Sequence, residues 1–83
     1  MQTVMITLRD QGGRFAYDLE LPYDQEAQLL APQVVQALHA YNRRLELSGT
    51  EQLYVPRERR ILSPNETLAQ VGVRNGDYLV LTR

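Results

Sequence analysis

The residue types that most often carry out chemistry in proteins are scarce in this chain and lack partners at useful spacings. Its 83 residues include no cysteine, which excludes a thiol nucleophile and a thiolate metal site. His39 is the single histidine, and no serine or carboxylate stands at a fixed spacing from it, as general acid–base catalysis would need. We interpret His39 as a structural residue at the boundary of the core.

Two further features have the outward form of a site. Asp18 and Glu20 share one face of a predicted strand, where a solvated surface is a simpler interpretation than a catalytic pair in a pocket. Gly12 and Gly13 lack the lysine and the following helix of a phosphate-binding loop. We therefore predict a protein that is not an enzyme, without catalytic residues, cofactor or metal.

Charge and hydropathy exclude several other classes. Nine basic and ten acidic residues give a formal net charge of −1, which argues against nucleic acid or an anionic membrane as the main partner. No apolar run in the sequence approaches the roughly 18 residues that span a bilayer, and the N-terminus has no signal-peptide pattern. We expect a cytoplasmic protein that does not insert directly into membranes.

The basic residues are unusual because all nine are arginine. Codon bias is the simpler explanation for the absence of lysine. The alternative explanation is functional, because a surface without lysine cannot accept an isopeptide bond. Arg57, Arg59 and Arg60 are close in sequence and, with Arg43 and Arg44, could recognise an acidic partner or nucleic acid. Glutamates are interspersed among them, which favours a solvated turn.

The elements that position these residues begin with two strands. Apolar residues alternate over residues 3–9 and again over residues 15–21, which is the pattern of half-buried strands. Residues 10–13 between them read Asp-Gln-Gly-Gly and predict a turn. The two strands should therefore be antiparallel neighbours, with Pro22 ending the second.

A helix follows, with an awkward proline. Pro32 has no amide proton, so the helix either kinks there or begins its main body there. We expect a short first turn capped by Asp24 and a main helix from about 32 to 42. Its buried stripe at helical spacing would be Leu30, Val34, Val35, Leu38 and Tyr41.

The second half of the chain alternates short strands with turns. Residues 53–55 and 60–62 predict a third strand and a short fourth one. Thr67 should cap one helical turn over 68–71, and a last strand follows the Asn75-Gly76 turn over 78–81. One helix on one face of a mixed sheet is an α+β roll, and this order fits the β-grasp, as one domain over residues 1–83.

This order of elements, with these residues, resembles ubiquitin-like proteins over essentially the whole chain. The start MQTVMITL looks like a ubiquitin first strand, and the segment from Glu51 to Leu81 follows the ubiquitin pattern of strands and turns. Within that superfamily the chain is most similar to the YukD/EsaB group. The residues that carry this similarity are Tyr17-Asp18-Leu19, Leu21-Pro22, Leu68, Gly72-Val73, Gly76-Asp77 and Leu79.

The resemblance implies a role. YukD/EsaB proteins are small bacterial ubiquitin-like proteins encoded with type VII secretion systems, and a similar domain opens the membrane component EccD. It implies a non-catalytic, cytoplasmic accessory or regulatory module of the secretion machinery. For the oligomeric state we expect a monomer or weak dimer. One alternative is a bacterial ubiquitin-like modifier processed by an operon of E1, E2 and metalloprotease type. The sequence ends Leu81-Thr82-Arg83 without the two glycines of such modifiers, which counts against conjugation. A third possibility is an excised domain of a membrane component such as EccD.

The candidate interaction residues lie on the outward face of the predicted sheet. Strand parity places Tyr54 outward on the third strand, and Tyr78 and Val80 outward on the last. In a ubiquitin-like sheet these two strands are neighbours, and Tyr54 falls where ubiquitin carries the exposed aliphatic residue of its partner-binding patch. We expect Tyr54, Tyr78 and Val80 to bind a protein partner, although scattered surface apolar residues are normal in any protein.

Overall fold

The computed structural model describes residues 2–47 and 49–82. In these residues five strands and one helix follow in the order β1 (Thr3–Asp10), β2 (Ala16–Pro22), α1 (Ala27–Tyr41), β3 (Gln52–Val55), β4 (Arg60–Ile61) and β5 (Tyr78–Thr82). The strands form one sheet in the order β2-β1-β5-β3-β4. The β1–β5 pair is parallel, and the other three pairs are antiparallel. The predicted α+β, ubiquitin-like β-grasp architecture is confirmed.

The core lies between the sheet and α1, and strand alternation supplies most of it. In β1 the even-numbered residues are buried and the odd-numbered ones point outward, because successive side chains of a strand face opposite sides. The least exposed large side chains come from every part of the chain: Ile6, Leu8, Leu30, Val34, Leu38, Leu53, Leu68, Val73 and Leu79.

The predicted start of the helix was wrong. α1 runs without interruption from Ala27, with Pro32 inside it, and its N-cap is Glu26, which makes no side-chain capping bond. Asp24 is therefore not the cap. The first amides are satisfied from another part of the chain, because Ala27 N–H donates to the Glu66 carbonyl at 2.8 Å and Gln28 N–H to that of Pro64 at 3.1 Å. These two tertiary bonds satisfy amides of the first turn that no local side chain caps.

Two smaller predictions also need correction. Tyr41 was assigned to the buried stripe, but it is 60% exposed and stacks on Tyr17 with ring centroids 5.0 Å apart. The helical turn predicted after Thr67 is a hydrogen-bonded turn and not a helix. Thr67 does cap it, since its Oγ1 accepts the Gln70 N–H at 3.1 Å while Gln70 Oε1 accepts the Thr67 N–H at 2.9 Å, a reciprocal capping box.

Glu66 ties β4, the following turn and the start of α1 together. Its carboxylate accepts two hydrogen bonds from the Arg60 guanidinium, at 2.5 and 2.6 Å, and one from the Ser63 N–H at 2.8 Å. The bond from Arg60 is the main cause that lowers the pKa of Glu66 from 4.5 to about 2. The backbone carbonyl of the same residue accepts the Ala27 N–H. One residue thus links three segments.

Adjacent leucines test how the helix is buried. Leu30 is 0% exposed and Leu29 is 54% exposed. Replacing each of them by alanine therefore compares a buried and an exposed position with the same residue type on the same helix. Leu30→Ala should lower the free energy of unfolding by about 2–5 kcal/mol because it leaves a cavity, and Leu29→Ala should change it by less than about 0.5 kcal/mol. Urea denaturation measures both, and equal losses would contradict the orientation of α1.

The Glu66 contacts should make stability depend on pH. A carboxyl group whose pKa is lowered by folding adds stability above its unfolded pKa, and that stability is lost as the pH falls through the folded pKa. The difference in urea midpoint between the wild type and Glu66→Gln should therefore shrink from about pH 5 to about pH 2. In an Arg60→Gln background the difference should lose most of this pH dependence. A pH-independent difference in the wild-type background would refute the assignment.

Candidate protein-interaction face

The face of the sheet turned away from α1 carries a connected set of apolar side chains. Cα pairing places Val80 of β5 beside Tyr54 of β3, and Tyr54 beside Ile61 of β4. Tyr78 stands two residues before Val80 on the same face. We call Tyr54, Ile61, Tyr78 and Val80 the outer patch.

Local sequence fixes which way these side chains point. On β3 the neighbours of Tyr54, Leu53 and Val55, are both buried, and β5 alternates in the same way with Leu79 and Leu81 buried. The predicted outward positions of Tyr54, Tyr78 and Val80 are thus what the structure shows, with Tyr78 45% exposed and the other two half-buried.

Ile61 is the member that sequence reasoning missed. It is 39% exposed and lies on a strand of only two residues, which is too short to show alternation. Its orientation follows from the register that pairs it with Tyr54, because a residue directly opposite an outward residue in a sheet also points outward.

A cation borders the outer patch. The Arg9 guanidinium lies over the Tyr78 ring, 4.7 Å from its centroid, and Arg9 is also the Cα partner of Val80. Among the described residues Arg9 makes no ion pair. A cation on an aromatic face gains a favourable interaction with the ring and orders both side chains.

A shallow depression of about 390 Å³ lies where the outer patch meets the β1–β2 turn. Arg9, Tyr54, Tyr78, Val80 and Thr82 line it, together with residues of that turn. The Thr82 hydroxyl oxygen is buried and has no hydrogen-bond partner in the described part of the chain. The depression offers an aromatic and aliphatic floor and one guanidinium.

Asp10, at the end of β1, does not contribute a free charge to this depression. Burial raises the pKa of its carboxyl group, but hydrogen bonds from the Arg14 side chain and from the backbone N–H groups of Phe15 and Arg14 outweigh burial, and the pKa is lowered. The Arg14 Nε–Asp10 Oδ2 distance is 2.5 Å. The Asp10 carboxylate thus stabilises the β1–β2 turn through these hydrogen bonds.

The other residues considered for chemistry have structural contacts. His39 Nε2 lies 3.2 Å from the Leu45 carbonyl oxygen, so the ring anchors the loop after α1. Within residues 2–47 and 49–82, no group of three or more potential metal ligands occurs, and no helix is long and apolar enough to cross a membrane.

The predicted basic cluster is partly neutralised. Arg57 pairs with Asp77 and donates to the Gly72 carbonyl at 3.0 Å, and Arg60 pairs with Glu66. Arg59 lies in the turn between them with φ of 55°. This arrangement agrees with a solvated turn and differs from the continuous basic footprint of a nucleic-acid-binding surface.

Comparison with known proteins gives a family and a fold. A family described as "WXG100 protein secretion system (Wss), protein YukD" matches residues 3–81. No curated protein matches the chain. The ubiquitin-like domain of the Mycobacterium tuberculosis type VII secretion protein EccD1 is similar with a TM-score of 0.77 and 22% identity, covering 100% of both chains. The EccD5 ubiquitin-like domain from Mycobacterium xenopi has a TM-score of 0.79 and 18% identity, covering 98% of this chain and 93% of that one.

A ubiquitin is also similar to this chain, with a lower TM-score than the two EccD domains and a slightly higher identity. The ubiquitin of Caldiarchaeum subterraneum is similar with a TM-score of 0.68 and 25% identity, covering 98% of this chain and 92% of that one. Together with the two secretion-system domains, it places the chain among proteins with the ubiquitin-like fold.

The position of Arg9 over Tyr78 can be tested in solution. Protons above the face of an aromatic ring are shielded, so the Arg9 side-chain resonances should lie upfield of their usual positions. Tyr78→Leu keeps an apolar side chain but removes the ring, and the Arg9 resonances should move back downfield in a proton NMR spectrum. Tyr41→Leu should leave them in place. Unmoved Arg9 signals in the Tyr78 variant would show that the two side chains do not stack.

Proposed function

This chain belongs to the YukD family of the WXG100 protein secretion system, and on that premise we propose that it is a non-catalytic, cytoplasmic module that binds a protein component of that system through the outer patch. The family match bears out the resemblance drawn from the sequence. The proposal adds the binding activity, the surface that carries it and the compartment.

The observation that carries the proposal is the connected outer patch with its bordering cation. Tyrosine and arginine are enriched among residues that dominate binding energy at interfaces, and Tyr54, Tyr78 and Arg9 meet at one depression. Burying the exposed part of Tyr78 and Ile61 against a partner would gain about 25 cal/mol per Å² of apolar surface. Cross-strand pairing fixes the backbone that carries these side chains before a partner arrives, so little backbone ordering is required on binding.

The chemistry of the depression specifies what the partner should present. Aliphatic side chains fit against Tyr54 and Val80, and a carboxylate placed beside them would pair with Arg9, which has no ion-pair partner in the described structure. A charge-assisted hydrogen bond of this kind is stronger than a neutral one. We therefore expect a partner segment with an acidic residue next to aliphatic residues.

The related structures support a role within an assembly. In the structure titled "MycP5-free ESX-5 inner membrane complex", a domain similar to this chain, with a TM-score of 0.78 and 17% identity, forms part of a longer protein. This chain covers 21% of that protein's length. A domain of the same fold is thus found inside an inner membrane complex, which supports the proposal that this chain binds a protein of such an assembly.

A ubiquitin-like modifier is the second candidate, and the absence of lysine favours it. A modifier without lysine could not form isopeptide-linked chains on itself. Intact-mass spectrometry of the protein purified from its own host separates the two candidates. Unmodified mass fits the binding module, and a covalent adduct through the C-terminal carboxyl group would support the modifier.

Substitutions in the outer patch test the proposal. N-terminally tagged wild type, Tyr54→Ala and Tyr78→Ala would be recovered from the host with bound secretion-system proteins, which quantitative mass spectrometry counts. Each substitution should reduce recovery at least tenfold, because a hot-spot residue contributes about 2 kcal/mol or more. Circular dichroism should show that both variants remain folded.

Leu29→Ala is the matched control, because it also removes an exposed apolar side chain but from the helix on the other side of the sheet. It should leave recovery unchanged. Undiminished recovery with folded Tyr54→Ala and Tyr78→Ala would contradict the proposal, and so would an equal loss with Leu29→Ala.

A further inference from the structure

The strand β2 forms one edge of the sheet and leaves part of its backbone unpaired. Within residues 2–47 and 49–82, its only neighbour in the sheet is β1. The register pairs Val4 with Leu21 and Ile6 with Leu19, and one step beyond the strands the Tyr23 N–H donates to the Gln2 carbonyl at 2.9 Å. In an antiparallel pair only alternate residues exchange hydrogen bonds.

It follows which residues of β2 face away from the sheet. Tyr23 is hydrogen-bonded to Gln2, so the residues of β2 that bond to β1 are the odd-numbered ones. The N–H and C=O groups of Ala16, Asp18 and Glu20 therefore point away from β1. The hydrogen bonds of Met5 agree with this assignment. Met5 lies opposite Glu20, and its backbone N–H and C=O groups point away from β2, where they bond to Asn75 and Gly76.

The open edge has a defined length. Pro22 has no N–H to offer, and proline is tolerated at an edge for that reason. The free donors therefore span residues 16–20, which is about 14 Å of strand at about 3.4 Å per residue. An added strand of about five residues would fill this edge.

Uncompensated negative charge lines the outer side of the edge. Asp18 Oδ1 accepts the Thr7 hydroxyl at 2.7 Å and Glu20 Oε1 accepts the Thr3 hydroxyl at 3.0 Å, and neither carboxylate forms an ion pair in the described residues. Pairing two copies of this edge would bring like charges together, which is unfavourable. A basic strand would instead be attracted.

The inner side of the same edge is aromatic. Tyr17 of β2 points toward the helix side and is partly buried against the core. Tyr41, at the end of α1, stacks on it at 5.0 Å and remains 60% exposed. An added strand beside β2 would turn every second side chain to the face of the sheet that carries this exposed ring.

We propose that the β2 edge binds an extended segment of a partner protein as a sixth strand, with arginine or lysine facing Asp18 and Glu20 and apolar residues facing Tyr41. Main-chain hydrogen bonds to Ala16, Asp18 and Glu20 give the affinity, and the alternation of basic and apolar residues in the partner segment gives the specificity. This surface is separate from the outer patch, and the inference does not depend on the proposed function.

The probe is a seven-residue synthetic peptide of alternating arginine and valine, titrated into the 15N-labelled full chain. NMR hydrogen exchange should show added protection at the amides of Ala16, Asp18 and Glu20, and unchanged protection at those of Tyr17 and Leu19. Absence of binding would overturn the proposal, as would shifts confined to the outer patch.

Charge selection has its own matched variants. The double substitution Asp18→Asn/Glu20→Gln should weaken peptide binding about fivefold, from two cross-strand charge pairs. Asp24→Asn/Glu58→Gln changes the net charge equally at residues outside β2 and should have no comparable effect. A peptide with glutamate in place of arginine should not bind. Equal binding of the two peptides would refute the charge argument.

Backbone pairing and the aromatic contact are tested separately. Methylating alternate peptide nitrogens, on the side that would face β2, should abolish binding, and Tyr41→Ala should weaken it. Tyr54→Ala should leave peptide binding unchanged, so failure at this edge is distinguishable from failure of the outer patch. Full binding by the methylated peptide would exclude strand addition.

Discussion

The parallel pairing of β1 with β5 is the constraint on which the rest of this structure depends. The first and last strands lie side by side at the centre of the sheet, with Leu8 directly paired with Leu79, and both are fully buried. The chain must therefore pass from β2, on one side of this pair, to β3, on the other side, and α1 makes that crossing over one face of the sheet. The same pairing brings Arg9 beside Val80 on the other face, so a contact between distant parts of the sequence builds the surface that we assign to partner binding.

Contacts around the crossover hold β3, β4 and β5 in register. Asp77, directly before β5, accepts the Arg74 N–H at 2.9 Å through its side chain and the Thr7 N–H at 2.9 Å through its carbonyl. Arg57 connects it to the β3–β4 turn. Ion pairs at exposed positions contribute little each to stability, but these link segments whose relative placement decides where Tyr54 lies. The outer patch is thus fixed by the sheet and by polar contacts at its ends.

Much of this fold could be predicted from the sequence because its signals are local. Alternation in β1, β2 and β5 and the Asn75-Gly76 turn gave the correct elements, and parity alone oriented Tyr54, Tyr78 and Val80. Tertiary contacts explain the errors. The helix begins at Ala27 because carbonyls of Pro64 and Glu66 receive its first amides. Tyr41 packs on the partly buried ring of Tyr17 instead of entering the core, and it stays exposed. Ile61 and the cation over Tyr78 needed the register between strands, which no single segment contains.

Photo-crosslinking inside the host tests most directly the claim that the outer patch is where a secretion-system protein docks. Benzoylphenylalanine would replace Tyr78 in one variant and Gln36, an exposed residue of α1, in another. We predict an adduct with a secretion-system protein from position 78 and none from position 36. An adduct from position 36 alone, equal yields from both, or no adduct from position 78 in a folded and expressed protein would contradict the account.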